Sequence, residues 1–386
     1  MTTFRGWNTI RIEDCEAGGN KNIHRTVEAS MQNHGIFLMV MLLFAGSMFA
    51  DEGRIPLYQS GTISASGSYV VTRDITSSGT VFWISADNVT LDLNGFTLTN
   101  STTSNGVVSI SSGKKNIRIE DGTLVGGASG IYHLAFDTDF CSITVDNLDI
   151  ATTETGISVQ NLERINIYRT RIRPVTAANL TGYGISLLCP ECDFVANIED
   201  NSVRNAGLSG IYADGMAAGR IVANQIKWFN TNWSGIAVMS NVVVVGSIVI
   251  SENSVFNNGG GFGIAVNTHG GNLISRNTIQ GTNYGIQVDK GASLVEDNVL
   301  SEIDDYGITI FNPGCTVRNN RVRGMLLSNS RGISLYSNYD LAEGNSVSNF
   351  VTGIYCSNST SYYRNNFLHG NTTPATGGTN GGGNLP

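Results

Sequence analysis

Between residues 55 and 370, apolar positions alternate with small or polar ones at period two, and no helical periodicity appears. That is the pattern of half-buried strands. A Gly-Ile pair restarts the alternation repeatedly: at Gly130-Ile131, Gly156-Ile157, Gly184-Ile185, Gly210-Ile211, Gly235-Ile236, Gly263-Ile264, Gly285-Ile286, Gly307-Ile308, Gly332-Ile333 and Gly353-Ile354, at intervals of 21 to 28 residues. Gly106-Val107 extends the series upstream. A fixed period of this length marks a stack of similar units, each touching only its neighbours.

A second beat runs between the pairs. Asn201, Asn224, Asn253, Asn277, Asn298, Asn320, Asn345 and Asn366 each open an Asn-x-aliphatic triplet. Asn tolerates left-handed backbone and bonds its own backbone, so it suits a corner. One turn therefore reads as strand, corner, strand, corner, too short for a unit with a crossover helix. Parallel strands without such helices leave a coil in which each turn rests on the last. Val, Ile and Leu are expected to point inward, and Ser, Thr, Asn and charged residues outward. About 11 to 12 turns at ~4.8 Å each would make a rod on the order of 50 Å long.

The Gly-Ile-x-Val strands and Asn-x-Val corners resemble the right-handed parallel β-helix repeats of pectate-lyase-like proteins, and the shorter repeats of NosD-like periplasmic proteins. The resemblance covers about residues 85–370. It implies an all-β fold, a single-stranded right-handed parallel β-helix. It implies no one activity, because that architecture hosts lyases, hydrolases, epimerases, phage tailspikes and non-catalytic surface proteins. The catalytic signatures of polygalacturonases, alginate epimerases and pectate lyases are absent, and Asn267-Thr268-His269-Gly270 is only a superficial echo of the first. Copper binding has no support in His133, His269 and His369, which fall on distant turns. No cofactor is evident. Calcium is admissible on such a scaffold, but no Gly-Gly-x-Gly-x-Asp repeat supports it.

The ends differ from the repeats. Residues 36–50 form the one long apolar run, ending in small residues before Asp51-Glu52-Gly53. This has the shape of a secretory signal peptide and is short for a membrane span. The reading assigns residues 1–30 to a mis-called extension, with a long n-region as the alternative. Residues 31–50 are then the signal, with cleavage after Ser47 or Ala50. Residues 51–100 read as an N-terminal cap with the first coils, 101–370 as the β-helix, and 371–386 as a flexible Gly/Asn-rich tail. Tyr362, Tyr363, Phe367 and Leu368 are candidates to cover the C-terminal end. A secreted, periplasmic or cell-surface location follows, with no membrane span in the mature form.

The 386 residues carry a formal charge of −8. The first 50 contribute four basic and four acidic residues, so the remainder keeps the whole −8. That balance argues against nucleic acid and anionic membranes. It also disfavours a polyanionic glycan unless a basic groove or a bridging cation intervenes. Among the cysteines, coil spacing keeps Cys141 from Cys189 and Cys315 from Cys356. Only Cys189 and Cys192 are near enough to pair; a local disulfide, two thiols, and a metal or redox role all stay open.

Candidate chemistry lies in columns that the repeat would stack. Glu296, Arg318, Glu343 and Arg364 alternate in sign over successive turns, which fits register-setting ion pairs better than a catalytic array. Phe262, Tyr284 and Tyr306 precede successive Gly-Ile pairs, as Tyr183 does further up. They are either a ladder packed on itself or a platform for sugar rings. Asn267, Arg331 and Tyr336 fall near that column as substrate-binding candidates. Asp289 with Asp304 or Asp305 would supply the two carboxylates of a glycoside hydrolase. Lys290 or His269 would supply the base of a polysaccharide lyase, with Arg331 as charge neutraliser. Two functions stand: a secreted solenoid that recognises, and in one version cleaves, an extended polysaccharide along this face, or a non-catalytic adhesin or envelope spacer. Neither fixes an oligomeric state.

Overall fold

The computed structural model describes residues 53–133, 139–174, 182–228, 232–240, 246–257 and 260–386. The proposed extension and signal segment lie outside these residues. Every strand pairing in Arg54–Pro386 is parallel, and away from the two ends of the coil each strand pairs with its counterparts one turn before and one turn after. The result is an all-β solenoid of about 12 turns. No helix occurs among the described residues.

Three parallel sheets form the walls. Sheet A holds the Gly-Ile strands, such as Ile211–Asp214, Ser234–Met239, Phe262–Asn267 and Arg331–Leu335. Sheet B holds strands such as Ile248–Ser251, Asn272–Ser275, Ser293–Glu296 and Thr316–Arg318. Sheet C holds Arg171–Pro174, Ser202–Ala206, Gln225–Trp228, Ser254–Asn257 and their successors. The alternation predicted from sequence holds on all three. The isoleucines after the repeated glycines, from Ile185 to Ile354, form an inward stack that is 0–1% exposed. Burying such side chains supplies roughly 25 cal/mol per Å² of apolar surface.

The eight corner asparagines do not point outward as expected. Each is at most 1% exposed and faces inward at the turn from sheet B to sheet C. The left-handed backbone belongs instead to the residue just before each one: Asp200, Ala223, Glu252, Arg276, Asp297, Asn319, Gly344 and Asn365, with φ of 55–67°. That residue makes the bend, and the bend aims the following Asn into the core. There the Asn side chain acts as an extra peptide group. Asn298 Nδ2 donates to Asn320 Oδ1 at 2.9 Å and to the Ile274 carbonyl at 2.9 Å. Its Oδ1 accepts from the Asn277 backbone amide and from Asn277 Nδ2, both at 2.9 Å. The same pattern links Asn201 through Asn366 and ends on Asn384. Ala223, Glu252 and Arg276 adopt the left-handed region without the local side-chain bonding that eases it for Asn and Asp.

The two beats interlock. A methyl group placed on Gly210 would overlap Ile226 Cγ2 and the Gly235 carbonyl; one on Gly307 would overlap Val322 Cγ1 and the Gly332 carbonyl. From Asn201 to Asn345, the aliphatic residue two places after the ladder Asn therefore fills the space left by the missing side chain of a repeated glycine; at Gly353 that space is taken by Asn371 instead. At these positions the requirement is room, not left-handed backbone.

The tail is also different from expectation. Residues 371–386 continue the coil: Thr373–Thr376 pairs with Thr352–Cys356, and Thr379–Asn380 pairs with Tyr362–Arg364. The glycines there supply bends, Gly377 and Gly378 both having φ near 70°. Tyr362, Tyr363, Phe367 and Leu368 are thus followed by a further turn. At the other end, Ile55–Leu57 and Gly61–Ile63 already pair in register with the next turn, so the coil begins within the expected cap. Cys189 and Cys192 are disulfide-bonded, with Cα atoms 5.2 Å apart; Cys141, Cys315 and Cys356 are buried free thiols.

Asn298→Ala removes two donors and one acceptor from a buried ladder and leaves their partners unsatisfied. Such a loss costs about 3 kcal/mol or more. Urea denaturation should show it as a lower midpoint with an unchanged slope. A loss below about 0.5 kcal/mol, the range of an ordinary surface substitution, would contradict the ladder's role.

Candidate functional site

The aromatic column stands on the outer face of sheet A. Register places Ser234, Phe262, Tyr284, Tyr306, Arg331 and Thr352 side by side on successive turns. The Phe262 and Tyr284 rings stack with centroids 4.5 Å apart and planes 18° apart; Tyr284 and Tyr306 follow at 5.5 Å and 5°. The ring faces are thus occupied by one another. Along the row, only edges and hydroxyls remain for a ligand.

Arg331 ends the row. Its guanidinium lies 3.8 Å from the Tyr355 ring centroid and 5.8 Å from that of Tyr306. Its Nη1 donates to the Tyr336 hydroxyl at 2.7 Å. Tyr336 in turn stacks on Phe311, with centroids 4.9 Å apart and planes at 9°. Sequence reasoning missed Phe311 and Tyr355, because neither occupies the position before a Gly-Ile pair. Phe311 directly follows the strand Val299–Ile310, and Tyr355 lies within Thr352–Cys356, two turns further along sheet A. The small outward residues Thr309 and Ser334 lie beneath this cluster and are 4% and 0% exposed. Arg331 thus joins the row of Phe262, Tyr284 and Tyr306 to Tyr355 and to the Tyr336–Phe311 stack.

The predicted polar candidates divide into two groups. Asn267, His269, Asp289 and Lys290 gather where the sheet A strands end; register pairs Asn267 with Lys290. Asp304 and Asp305 lie where those strands begin, just before Tyr306. Because Tyr306 stands beside Tyr284, Asp289 is about six residues of extended chain from Asp305, roughly 20 Å at ~3.3 Å per residue. Two carboxylates that share a glycosidic bond stand about 5 to 9.5 Å apart. The expected pairing of Asp289 with Asp304 or Asp305 across neighbouring turns is therefore not made. Burial raises the Asp289 carboxyl above its ordinary range, with Gln287 and Lys290 opposing. Burial and then Asp305 raise Asp304. Asp289 accepts from Gln287 Nε2 at 2.7 Å. His269 is exposed. No group of three His, Cys, Asp or Glu that could hold a metal occurs among the described residues.

The register-setting columns sit on sheet B. Glu296, Arg318, Glu343 and Arg364 pair in turn, with ion pairs of 2.6 Å for Arg318–Glu296 and 2.9 Å for Arg364–Glu343. Arg276 meets Glu252 in the same way at 2.8 Å.

One ionisable group stands apart from every expectation. Asp340 is 0% exposed at the corner between sheets A and B, with Cys315 and Ser361 as its neighbours on adjacent turns. Its Oδ1 accepts the Cys315 amide at 3.0 Å. Burial raises its pKa to about 6, although the amides of Cys315, Ser337 and Gly314 favour the charged form.

Residues 183–325 match the family model described as the right handed beta helix region, which gives the solenoid its hand. No curated protein matches the chain. Among solved structures, two Azotobacter vinelandii proteins are similar. One is the mannuronan C-5 epimerase AlgE6 A-module, at 14% identity over 83% of this chain and 90% of that one, with a TM-score of 0.44. The other is the AlgE4 A-module, at 15% identity over 83% and 91%, with a TM-score of 0.30.

Asp340 gives a pH prediction. Its folded pKa lies above the unfolded value of 3.8, so the folded state holds the proton more tightly between about pH 4 and 6. Its contribution to stability is present in acid and is lost as pH rises through 6. Asp340→Asn keeps an acceptor for the Cys315 amide and never ionises. At pH 8 the variant should be more stable than the parent by about 1 to 3 kcal/mol, and the difference should vanish near pH 4. Denaturation at the two pH values measures it; a pH-independent difference would contradict the assignment.

Proposed function

We propose that this protein is a secreted, glycan-binding solenoid that holds an extended polysaccharide against the sheet A face carrying Phe262, Tyr284, Tyr306, Phe311, Arg331 and Tyr336. The observation that carries the reading is the setting of Arg331. Its guanidinium is framed by the rings of Tyr306, Tyr336 and Tyr355, bonds one hydroxyl, and has no ion pair among the described residues. A cation held over aromatic faces is already oriented, and its remaining N–H groups can donate to sugar hydroxyls. Phe311, 47% exposed beside it, offers apolar surface for the C–H face of a sugar ring.

Binding is favoured over cleavage by the distances. Asp289 is separated from Asp304 and Asp305 by most of a strand, and His269 and Lys290 lie where the sheet A strands end, whereas Arg331 lies where they begin. The adhesin or spacer reading draws support from the ring stack itself, since Phe262, Tyr284 and Tyr306 satisfy one another. The two readings differ in what Arg331 and Phe311 do, because neither lies within that stack.

Affinity electrophoresis in gels containing individual polysaccharides tests this directly. Arg331→Ala and Phe311→Ala should each weaken retention by at least about tenfold, the effect of losing one framed cation or one ring contact. Tyr284→Ala, from the middle of the stack, should lower the melting temperature as well. Retention by no polysaccharide, or unchanged retention of both the Arg331 and Phe311 variants, would remove this face from consideration and leave the spacer reading.

A further inference from the structure

The outer side of sheet B is ruled in straight columns. Register sets Val249, Leu273, Leu294, Thr316, Leu341 and Tyr362 side by side on six successive turns. Five of the six are apolar; the aliphatic ones are half-buried and Tyr362 is 49% exposed. Two residues further along the strands runs the charged column of Glu296, Arg318, Glu343 and Arg364. Two residues before it, at the corner from sheet A, stand Gly271, Ala292, Gly314, Tyr339 and Thr360. Small residues keep this edge low, and Tyr339 projects from it. At 72% it is the most exposed large apolar side chain among the described residues. Its φ is 61°, a left-handed backbone that an aromatic residue adopts only under constraint. Gly314, its counterpart one turn earlier, has φ of 77°, and a methyl group placed on it would meet nothing within 4 Å.

Setting the register of sheet B accounts for the alternating charges, but it has no use for an exposed and strained tyrosine. A second copy of the same strip does. Consider a two-fold axis lying in this face, parallel to the strands and midway between the turns of Arg318 and Glu343. It reverses the order of the turns and keeps each column opposite itself. Glu296 then faces the partner's Arg364, and Arg318 faces the partner's Glu343. Leu294 meets the partner's Tyr362, and Thr316 meets the partner's Leu341. Tyr339 meets the partner's Gly314, where the surface is open. The charge run and the Tyr339–Gly314 pair are independent features, and they share one centre. Beyond the four charged positions the column is neutral at both ends, with Ser275 before and Gly381 after. At the next corner Asp297 and Asn319 face the partner's Asn365 and the partner's Gly344, so no like charges meet.

We infer that the sheet B face between Leu273 and Thr379 is a self-association surface, through which two copies of this chain pack face to face with antiparallel solenoid axes. A strip complementary to its own reverse is what an isologous contact requires, and a foreign partner would have no reason to share its centre. The ion pairs within one chain leave room for it. Arg318 places Nε and Nη2 on the same oxygen of Glu296, at 2.7 and 2.6 Å, so Arg318 Nη1 and the second carboxylate oxygen stay available. The strip carries two carboxylates and two guanidinium groups. It is therefore neutral on a chain of charge −8, and the rest of that charge is screened beyond about 8 Å at physiological salt. Tyrosine and leucine in the middle with arginine at the edge is the make-up of protein interfaces. Six turns at ~4.8 Å by ~13 Å of strand give a footprint on the order of 400 Å² per copy, about half the ~800 Å² of a standard interface. The dimer is thus weak and concentration-dependent. The inference does not rest on the glycan face of sheet A.

Sedimentation velocity of the full chain, from about 1 µM to about 500 µM, should show a monomer–dimer equilibrium. Arg318→Glu sets a carboxylate opposite the partner's Glu343, and Glu343→Arg sets a guanidinium opposite the partner's Arg318. Each variant alone should dimerise at least about tenfold more weakly than the parent. Mixed in equal amounts, the two variants should recover a dimer, because the new carboxylate on one copy then faces the new guanidinium on the other. A role in register within one chain cannot produce that recovery. Tyr339→Gly removes the projecting ring and suits the left-handed backbone. It should also weaken the dimer at least about tenfold, with the melting temperature of the dilute monomer unchanged or raised, which keeps the test open should either charge reversal fail to fold. A parent that stays monomeric throughout, a dimer untouched by Tyr339→Gly, or a mixture of folded reversal variants no more associated than its components would overturn the inference.

Discussion

Between Asn201 and Asn384, each turn of this coil is tied to the next by an asparagine side chain that serves as a surplus peptide group. It donates forward to the next asparagine and back to a carbonyl of the previous turn, and it accepts two bonds on its oxygen. Burying an amide in an apolar interior is unfavourable unless its bonds are made, and a half-made network is worse than none. The ladder therefore acts all or none. It fixes the register of sheets B and C, because a strand that slipped by one residue would bury an unpaired amide and turn its aliphatic side chains outward. The left-handed backbone of Ala223, Glu252 and Arg276 is a local strain that the ladder imposes in return.

Register, once fixed, determines everything on the surface. The same stacking that seats Ile226 in the space above Gly210 also sets Phe262 on Tyr284, Arg318 on Glu296, and Arg204 beside Lys227. The three sheets then have separate surface characters. Sheet A presents aromatic rings around one arginine, sheet B presents paired charges, and sheet C presents Arg171, Arg173, Arg204, Lys227, Arg321 and Arg323 together with the exposed Glu302. A solenoid permits this because each outward column is free to vary while the inward ones are held.

Much of this was legible in the chain. The period, the strand pattern, and the stacking of Phe262, Tyr284 and Tyr306 follow from spacing alone. The direction in which the corner asparagines point does not, because a repeating Asn is equally consistent with making a bend or following one. Only the dihedral at Asp200 or Glu252 decides between them. The Gly-rich end looked like a flexible tail because composition registers bends and not the short strands between them; Thr373–Thr376 completes a turn with few aliphatic residues. Asp289 and Asp305 looked like neighbours because a count of turns ignores position along the strand. The cations of sheet C were hidden by the net charge, which sums faces that the fold keeps apart. Asp340 gave no signal at all, since its burial depends on corners contributed by three different turns.

Side-chain amide hydrogen exchange, followed by NMR on uniformly ¹⁵N-labelled protein, tests the ladder most directly. The NH₂ groups of Asn253, Asn277, Asn298 and Asn320 should exchange as slowly as the backbone amides of the buried isoleucines beside them, because both open only when turns separate. Exchange at the rate of exposed asparagine side chains, with the backbone still protected, would contradict the account.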